Sequence, residues 1–397
     1  MAINPRIENP SVRTSSSTAG DIVRNFVRVV NMPMLIVATL TVLFGLLIVS
    51  SAVEGSSDYS FNRQVIGVGI GFVLMLIIWR IDYHKLGALF VPLLIIDVVL
   101  ILSPLLPIIG VEAKGAHSWI SLFGQQIQPG ELAKIVTILV MATMVSRYGG
   151  RLKSGKEYLK CVGILLIPCV CIMAQPDLGT GMVLFAIGLA ALFTGGADWK
   201  WLLATFVIVA LLIVGVIMLD PILDDMMGHD VFLKEYQMNR LLVFIDPTLD
   251  PSGVGYNLAQ SKITVGSGGL VGKGLYAGTQ SGLGFLPEAP TDFIFCVLAE
   301  ELGFLGCIAL LGLYAGLIAC SFWIAVRADH QFGALIIMGI VGMWVFQILE
   351  NIGMTIGLMP ITGIPLPFMS YGSSFMLVNF MALGLVLSVW AHRVKIT

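Results

Sequence analysis

Asp292 stands where a polar, glycine-rich stretch meets a long apolar run, in Pro287-Glu288-Ala289-Pro290-Thr291-Asp292-Phe293-Ile294-Phe295. A carboxylate at such a boundary loses part of its hydration, which raises its pKa toward the range of a working general base. Capping the apolar helix that follows is the plainer use of the same side chain. The two prolines keep Glu288 and Asp292 from sharing a regular helical turn. A second charged group opens another apolar run, Gln128-Pro129-Gly130-Glu131-Leu132-Ala133-Lys134. Proline suits the first helical position, and Glu131 suits the positive end of the helix dipole. Glu131 and Lys134, three residues apart, share one face and can pair. Lys134 then lies about one turn inside the membrane, where an ionisable group marks either a polar cavity or a structural ion pair. Asp177, in Gln175-Pro176-Asp177-Leu178-Gly179-Thr180-Gly181, either caps the next helix or contacts a ligand in the same cavity.

Gly266-Ser267-Gly268-Gly269-Leu270-Val271-Gly272-Lys273-Gly274 has the look of a phosphate loop. A nucleotide loop needs glycine where Ser267 stands and Ser or Thr where Gly274 stands, so the spacing fails. Two general uses are left: glycine N–H groups and Lys273 approaching an anion, or a merely flexible loop. Glu300 and Glu301 follow inside the next apolar run, where one of them is expected to pair across the bundle. The six cysteines, at 161, 169, 171, 296, 307 and 320, all fall in apolar runs, which makes them packing residues. The five histidines, at 84, 117, 229, 330 and 392, are scattered along the chain, which argues against a histidine metal site.

The elements that carry these residues are membrane helices. Of 397 residues, 57% are hydrophobic and 12% are charged, against roughly 25% charged in soluble domains. Ten apolar runs are long enough to cross a bilayer: 33–53, 62–80, 86–109, 129–147, 159–174, 178–196, 199–219, 293–326, 331–358 and 374–391. The chain thus reads as an all-α polytopic membrane protein with a tail over 1–30 and one transmembrane domain over 31–397. One large polar segment, about 220–292, separates spans seven and eight. Arg6, Arg13, Arg24, Arg28, Arg80, Lys85, the Arg147–Lys160 cluster, Lys200, Arg327, Arg393 and Lys395 gather on one side. That bias predicts cytoplasmic termini and an outer location for 220–292. Backbone that is not helical cannot face lipid, so the long polar segment must lie at one face or line a wet cavity. The uncharged Pro360–Ser374 stretch, rich in proline and glycine, is expected to fold tightly or re-enter against that cavity. ATP and reduced nicotinamide are absent outside the cell, so any reaction there must be driven by the substrate's own activated bond.

These motifs together resemble the SEDS family (shape, elongation, division and sporulation) over essentially the whole chain. The likeness runs through KGAHSWI at 114–120, QPGELAKI at 128–135, QPDLGTG at 175–181 and the NR…GKG stretch at 239–274. It continues through Gly278-Thr279-Gln280-Ser281, FLPEAPTDFIF, AEELG and NIGMTIGLMPITGIPLPFMSYGSS at 351–374, and it is strongest for the rod-shape, elongation branch. The resemblance implies a ten-span peptidoglycan glycosyltransferase of the bacterial inner membrane that polymerises lipid II on the outer face, beside a class B penicillin-binding protein as transpeptidase. The family's essential aspartate falls on Asp292, and its Glu and Lys fall on Glu131 and Lys134. Asp292 is then the base for the acceptor hydroxyl, with Glu288 and Asp177 as further cavity residues. Lys262, Lys273 and Arg240 are candidate contacts for the diphosphate, with Gln260 and Ser261 as substrate contacts in the same motif. A divalent cation, Mg or Mn, could supply the same positive charge. Departures are Gly130 for the family's Ser, Pro290 for a common His, and Ser118 for a common basic residue. Two other functions fit a polytopic chain with such motifs, a lipid II flippase and a non-enzymatic scaffold for a transpeptidase. The outer clustering of the polar motifs favours the polymerase over the flippase.

Overall fold

A computed structural model describes residues 30–54, 56, 58–106, 110–113, 116–122, 125–149, 151–227 and 233–393. The tail (1–29), Lys114, His229, Asp230 and Lys395 lie outside these residues. The ten expected runs reappear in order as helices α1 (Met32–Ala52), α2 (Phe61–Arg80), α3 (Phe90–Leu102), α4 (Pro129–Ser146), α5 (Gly155–Met173), α6 (Leu178–Thr194) and α7 (Trp199–Met227), followed after the polar segment by three more. The polar segment is itself largely helical, with α8 (Glu235–Ile245) and α9 (Val254–Ser267). The last three apolar helices are α10 (Ile294–Val326), α11 (Gln331–Ile356) and α12 (Ser373–Ala391). Seven helices among the described residues are long and apolar enough to cross a bilayer by length and composition, namely α1, α2, α4, α7, α10, α11 and α12. The fold is a polytopic α-helical bundle.

Three features depart from the sequence expectation. The third span, expected over 86–109, shortens to Phe90–Leu102 because Ser103-Pro104 starts a 3-10 turn, a proline being unable to continue the ladder of helix bonds. A small antiparallel sheet then follows that the sequence did not announce: β1 (Gly110–Ala113), β2 (Ala116–Leu122) and β3 (Gln125–Ile127), in the order β1-β2-β3. The seventh span runs on to Met227, past the expected end at 219, and the Asp220 carboxylate accepts the Leu233 N–H at 3.2 Å.

The core forms where α12 lies along α2 and α11 lies along α6, with α10 closing against α1 and α11. The stretch between α11 and α12 re-enters this core. Pro367 receives the Tyr314 hydroxyl at 2.7 Å, and the Phe368 ring sits 5.7 Å from that of Trp344. Trp344 lies twelve residues before the end of α11, about 18 Å down the helix at 1.5 Å per residue. A methyl group at Gly45 would stand 2.3 Å from the Phe368 carbonyl oxygen, so α1 needs glycine there to admit the segment.

α10 bends at Gly303, whose φ of 63° and ψ of −162° break the helical pattern. The glycine-rich loop 268–274 splints the break. Lys273 N–H donates to the Glu300 carbonyl at 3.0 Å and Gly274 N–H to the Glu301 carbonyl at 2.9 Å. In return Phe304 and Leu305 donate to Gly269 and Leu270 at 2.9 and 3.1 Å. Kinks need such replacement bonds, because helix carbonyls freed in an apolar setting are costly. The glycines therefore serve backbone contact and not an anion cradle: the N–H groups of Lys273 and Gly274 are already used. Gly272 has φ of 78°, and a methyl on it would stand 2.1 Å from the Glu301 carbonyl oxygen. Gly272→Ala is expected to destabilise the purified protein by about 2 kcal/mol or more, from strained backbone plus collision, read as a lowered thermal midpoint in detergent. A midpoint equal to that of the parent would refute the splint.

Candidate active site

Asp292 belongs to a turn in which the Glu288 carbonyl accepts the N–H groups of Thr291, Asp292 and Phe293 at 3.2, 3.1 and 3.3 Å. The cap of α10 is Phe293, and it makes no side-chain cap bond, so Asp292 is not the N-cap. The Asp292 carbonyl takes the Asn351 side-chain amide at 2.8 Å, and the same nitrogen donates to the Ile364 carbonyl at 2.8 Å. One buried asparagine on α11 thus ties the start of α10 to the re-entrant segment. Between them sits Gly363, with φ of 76°. A methyl group there would stand 2.9 Å from Asp292 Oδ2 and 3.8 Å from Arg240 Nη1, so carboxylate and guanidinium border one point.

Arg240 reaches this point from α8. Its Nη1 donates to the Thr362 carbonyl at 2.9 Å, and its guanidinium lies 5.6 Å from the Tyr236 ring centroid. α8 is itself anchored on the corner before α6, where Tyr236 Oη and Gln237 Nε2 both donate to the Pro176 carbonyl, at 2.7 and 2.8 Å. Asp177, next in the chain, accepts the Thr180 N–H at 2.9 Å and hydroxyl at 2.8 Å, and Gln128 Nε2 at 3.1 Å. It caps α6, and it also borders the site: a methyl on Gly179 would lie 3.6 Å from Asp177 Oδ1 and 3.5 Å from the Thr362 carbonyl. Glu288 Oε2 accepts the Tyr59 hydroxyl at 2.6 Å and that of Thr291 at 3.0 Å. Burial, the bond to Glu288 and the charges of Glu288 and Asp292 push the Tyr59 hydroxyl well above its usual pKa, so it stays a donor.

Glu350 is a member of the site that the sequence patterns did not single out. It is buried on α11 beside Asn351, and its Oε1 accepts the Thr362 hydroxyl. Its Oε2 is buried without a hydrogen-bond partner among the described residues. It lies close enough to Asp292 and Arg240 to feel both charges. The signal available in the sequence was an ionisable residue deep in an apolar run.

Glu131 and Lys134 form the expected pair, Nζ to Oε1 at 2.6 Å, with both side chains buried. Lys134 also lies 5.9 Å from the Phe375 ring centroid. The second carboxylate oxygen, Glu131 Oε2, is buried with no partner among the described residues. The candidate substrate contacts fare differently. Ser261 is fully buried, and its hydroxyl donates to the Leu258 and Thr355 carbonyls at 2.9 and 3.0 Å, which makes it a packing residue. Gln260 is partly exposed on the same helix, its backbone carbonyl taking the Thr264 hydroxyl at 2.7 Å. Lys262 lies over Gly357, the left-handed cap of α11, with its Cε 2.1 Å from where a methyl would stand. There its charge offsets the negative end of α11. Lys273 binds Glu300 at 2.6 Å and the Thr279 hydroxyl at 2.7 Å. The same carboxylate takes the N–H groups of Thr279, Gln280 and Ser281 at 3.0, 2.9 and 3.1 Å, so Lys273 has a structural partner. Of the three candidate cations, Arg240 is the one the fold brings beside Asp292.

Among the described residues, the single group of three or more metal-type side chains with donor atoms within 4.8 Å is His84, Asp329 and His330.

The model of the family described as "Cell cycle protein", which groups FtsW, RodA and SpoVE, matches residues 31–395. The chain belongs to this FtsW/RodA/SpoVE family. It is 37% identical over 364 residues to the peptidoglycan glycosyltransferase MrdB of Escherichia coli K12, covering 91% of this chain and 93% of that protein. A chain in a solved peptidoglycan synthase complex, whose structure addresses the coordination of polymerization and crosslinking, superposes with a TM-score of 0.75 at 30% identity, over 90% of this chain and 96% of that one. The crystal structure of the rod shape determining protein RodA of Thermus thermophilus gives 0.66 at 27% identity, over 91% and 97%.

Two departures from the family's residues have a local account. A methyl on Gly130 would make ordinary contact with Thr180 Cγ2 at 3.5 Å, so a serine would fit and nothing here requires glycine. Pro290 is buried, and its carbonyl accepts the Tyr371 N–H at 2.8 Å, which needs no side-chain donor at that position.

The buried pair generates a stability prediction. Lys134→Met alone leaves a buried carboxylate unpaired, a penalty of about 3–5 kcal/mol, whereas Glu131→Leu with Lys134→Met is expected to regain most of that loss. Thermal unfolding in detergent reads both. If the pair also serves the reaction, polymerising activity stays absent in the double variant; full recovery of activity would make the pair purely structural.

Proposed function

We propose that this family member is a peptidoglycan glycosyltransferase that polymerises lipid II, with Asp292 as its general base. The observation that carries the reading is the meeting of Asp292 Oδ2 and Arg240 Nη1 at Gly363, on a floor held by Asn351 and Glu350. Polymerisation forms a bond from an acceptor sugar hydroxyl to the anomeric carbon of a second sugar. It breaks the bond from that carbon to the diphosphate-lipid. Asp292 takes the proton that the hydroxyl loses as it attacks. Arg240 offers fixed positive charge toward the diphosphate as it leaves with the electron pair. Lipid II carries its own activated bond, so no nucleotide is consumed. Glu350 acts from behind: its bond to Thr362 holds the loop that presents Arg240.

The same reading puts the reaction at the outer face of the inner membrane, with cytoplasmic termini, in cell-shape and wall synthesis during elongation. A class B penicillin-binding protein fits as the crosslinking partner, in line with the coordinated polymerization and crosslinking of the structurally similar complex. A Mg or Mn ion arriving with the diphosphate would share its charge with Arg240. Chelation followed by add-back of each ion tests that element separately.

Polymerisation of purified lipid II in detergent, where no flipping is possible, is the decisive assay. Asp292→Asn keeps the shape and removes the base, and is expected to lower the rate by about 10²–10⁴ while the protein remains folded. Near-parental polymer yield from a well-folded Asp292→Asn protein would sink the assignment. Glu350→Gln keeps an acceptor for Thr362 but removes the ionisable group. It is expected to displace the pH–rate profile, since a titrating group beside a base alters that base's proton affinity. An unmoved profile with unchanged rate would limit Glu350 to packing.

A further inference from the structure

Three of the chain's five histidines, far apart in sequence, meet at the end of the bundle away from Asp292. Asp292 precedes α10 and Asp329 follows it, and the 33 residues of α10 make up to roughly 50 Å of helix. At the far end the corner joining α2 to α3 carries Asp82, Tyr83 and His84, and the corner joining α10 to α11 carries Asp329 and His330. His392, just after α12, is close enough to Asp82 to act on its charge. His84 Nε2 lies 3.5 Å from Asp329 Oδ2, and His330 Nε2 lies 3.9 Å from the same oxygen. One donor atom from each of the three lies within 4.8 Å of the other two.

We propose that His84, Asp329 and His330 form a binding site for a divalent transition-metal ion of the zinc class, pinning the two corners together. The spacing supports it. Ligands about 2.0–2.1 Å from a tetrahedral ion stand about 3.3–3.4 Å from one another. The His84–Asp329 edge is already near that value. His330 needs to move by about an ångström to match it, and its side chain is 62% exposed, which leaves it room to swing.

The atoms behind the ligands carry the argument further. A metal-bound histidine almost always has its second ring nitrogen held by a carboxylate or carbonyl, which fixes the tautomer and aims the first nitrogen. Here His84 Nδ1 lies 2.6 Å from Asp82 Oδ1, and Nε2 faces Asp329. The Asp329 carboxylate is oriented in the same way: Oδ1 accepts the Tyr83 hydroxyl at 2.6 Å, and Oδ2 is the atom both histidines approach. Tyr83 is fully buried, which fixes the hydroxyl that holds Asp329. The His84 and His330 rings meet edge to face at 4.9 Å, which brings both toward Asp329 from different sides. Two imidazoles and one carboxylate suit Zn²⁺, Co²⁺ or Ni²⁺ better than Mg²⁺ or Ca²⁺, and leave a fourth position for water. An ion-free histidine–aspartate latch is the rival account.

The full chain, purified in detergent without a histidine tag and stripped of metal, is titrated with buffered Zn²⁺ and separately with Co²⁺ as a coloured reporter. One ion per chain is expected, with a visible Co²⁺ band of tetrahedral type and a raised thermal midpoint in Zn²⁺. His84→Ala and His330→Ala should each weaken binding at least 100-fold, and Asp82→Asn, which leaves the ligands in place, by 10- to 100-fold. His330→Ala removes an exposed side chain, so its result does not depend on a folding defect. Equal Zn²⁺ uptake by the parent and by His330→Ala, or no uptake by the parent above the level of a His84→Ala/His330→Ala protein, would overturn the site and leave the latch.

Discussion

The buried carboxylate of Glu300 is the junction on which the reactive end of the protein depends. A charge in that position is tolerable only when it is surrounded by donors, and the sequence supplies them from a single loop. Lys273 neutralises it, while three successive N–H groups and the Ser281 hydroxyl point at its two oxygens. Together with the carbonyls exposed by the break at Gly303, this binds the glycine-rich loop to α10. Its neighbour Glu301 does the same toward α1, accepting the Ser51 hydroxyl. The start of α10, and with it Asp292, is therefore held from two sides before any substrate arrives.

A second constraint is that irregular backbone at membrane depth must be enclosed by protein. The re-entrant stretch meets it by burying Leu366, Phe368 and Met369 and by lending carbonyls to Tyr314, Asn351 and Arg240. That arrangement gives the site its rigidity. A carboxylate just ahead of a helix, a guanidinium on a peripheral helix and a second carboxyl group on a core helix come from three elements, yet all are referred to Thr362, Gly363 and Ile364. Preorganisation of this kind lets fixed charges act without rearranging at the moment of reaction.

How far the sequence revealed this depended on whether a residue's partner was near in the chain. The ten apolar helices were readable as apolar runs, the third of them drawn too long across Pro104, and the Glu131–Lys134 pair as charges three apart on one face. Asp292 stood out because it lies where the polar segment meets an apolar run and falls on the aspartate of the motif that the sequence resembles. Lys273 was read as an anion contact because sequence shows a charge and not its counter-charge, which sits 27 residues away on Glu300. Ser261 looked polar and available until α9 docked on α11 and used its hydroxyl. Arg240 and Glu350 converge only once α8 and α11 are placed, and the histidines seemed scattered because corners 245 residues apart adjoin only in space. The small sheet was missed because its strands are short and lie among glycines and prolines.

The third helix has a consequence beyond the site. Phe90–Leu105, counting its 3-10 turn, makes about 24 Å of helix at 1.5 Å per residue, against a hydrocarbon core of about 30 Å. Val91, Ile95, Ile96, Val99 and Leu102 face outward along it, so lipid and not protein must accommodate the shortfall. Such a hydrophobic mismatch thins the adjoining leaflets or tilts neighbouring helices, at fractions of a kcal/mol per ångström. Headgroups on that flank then lie nearer the bundle's midplane than elsewhere around its perimeter. Bilayer thickness thereby becomes a mechanical load on the α3–α4 contact, where Thr137 hydrogen-bonds the buried Asp97 at 2.8 Å.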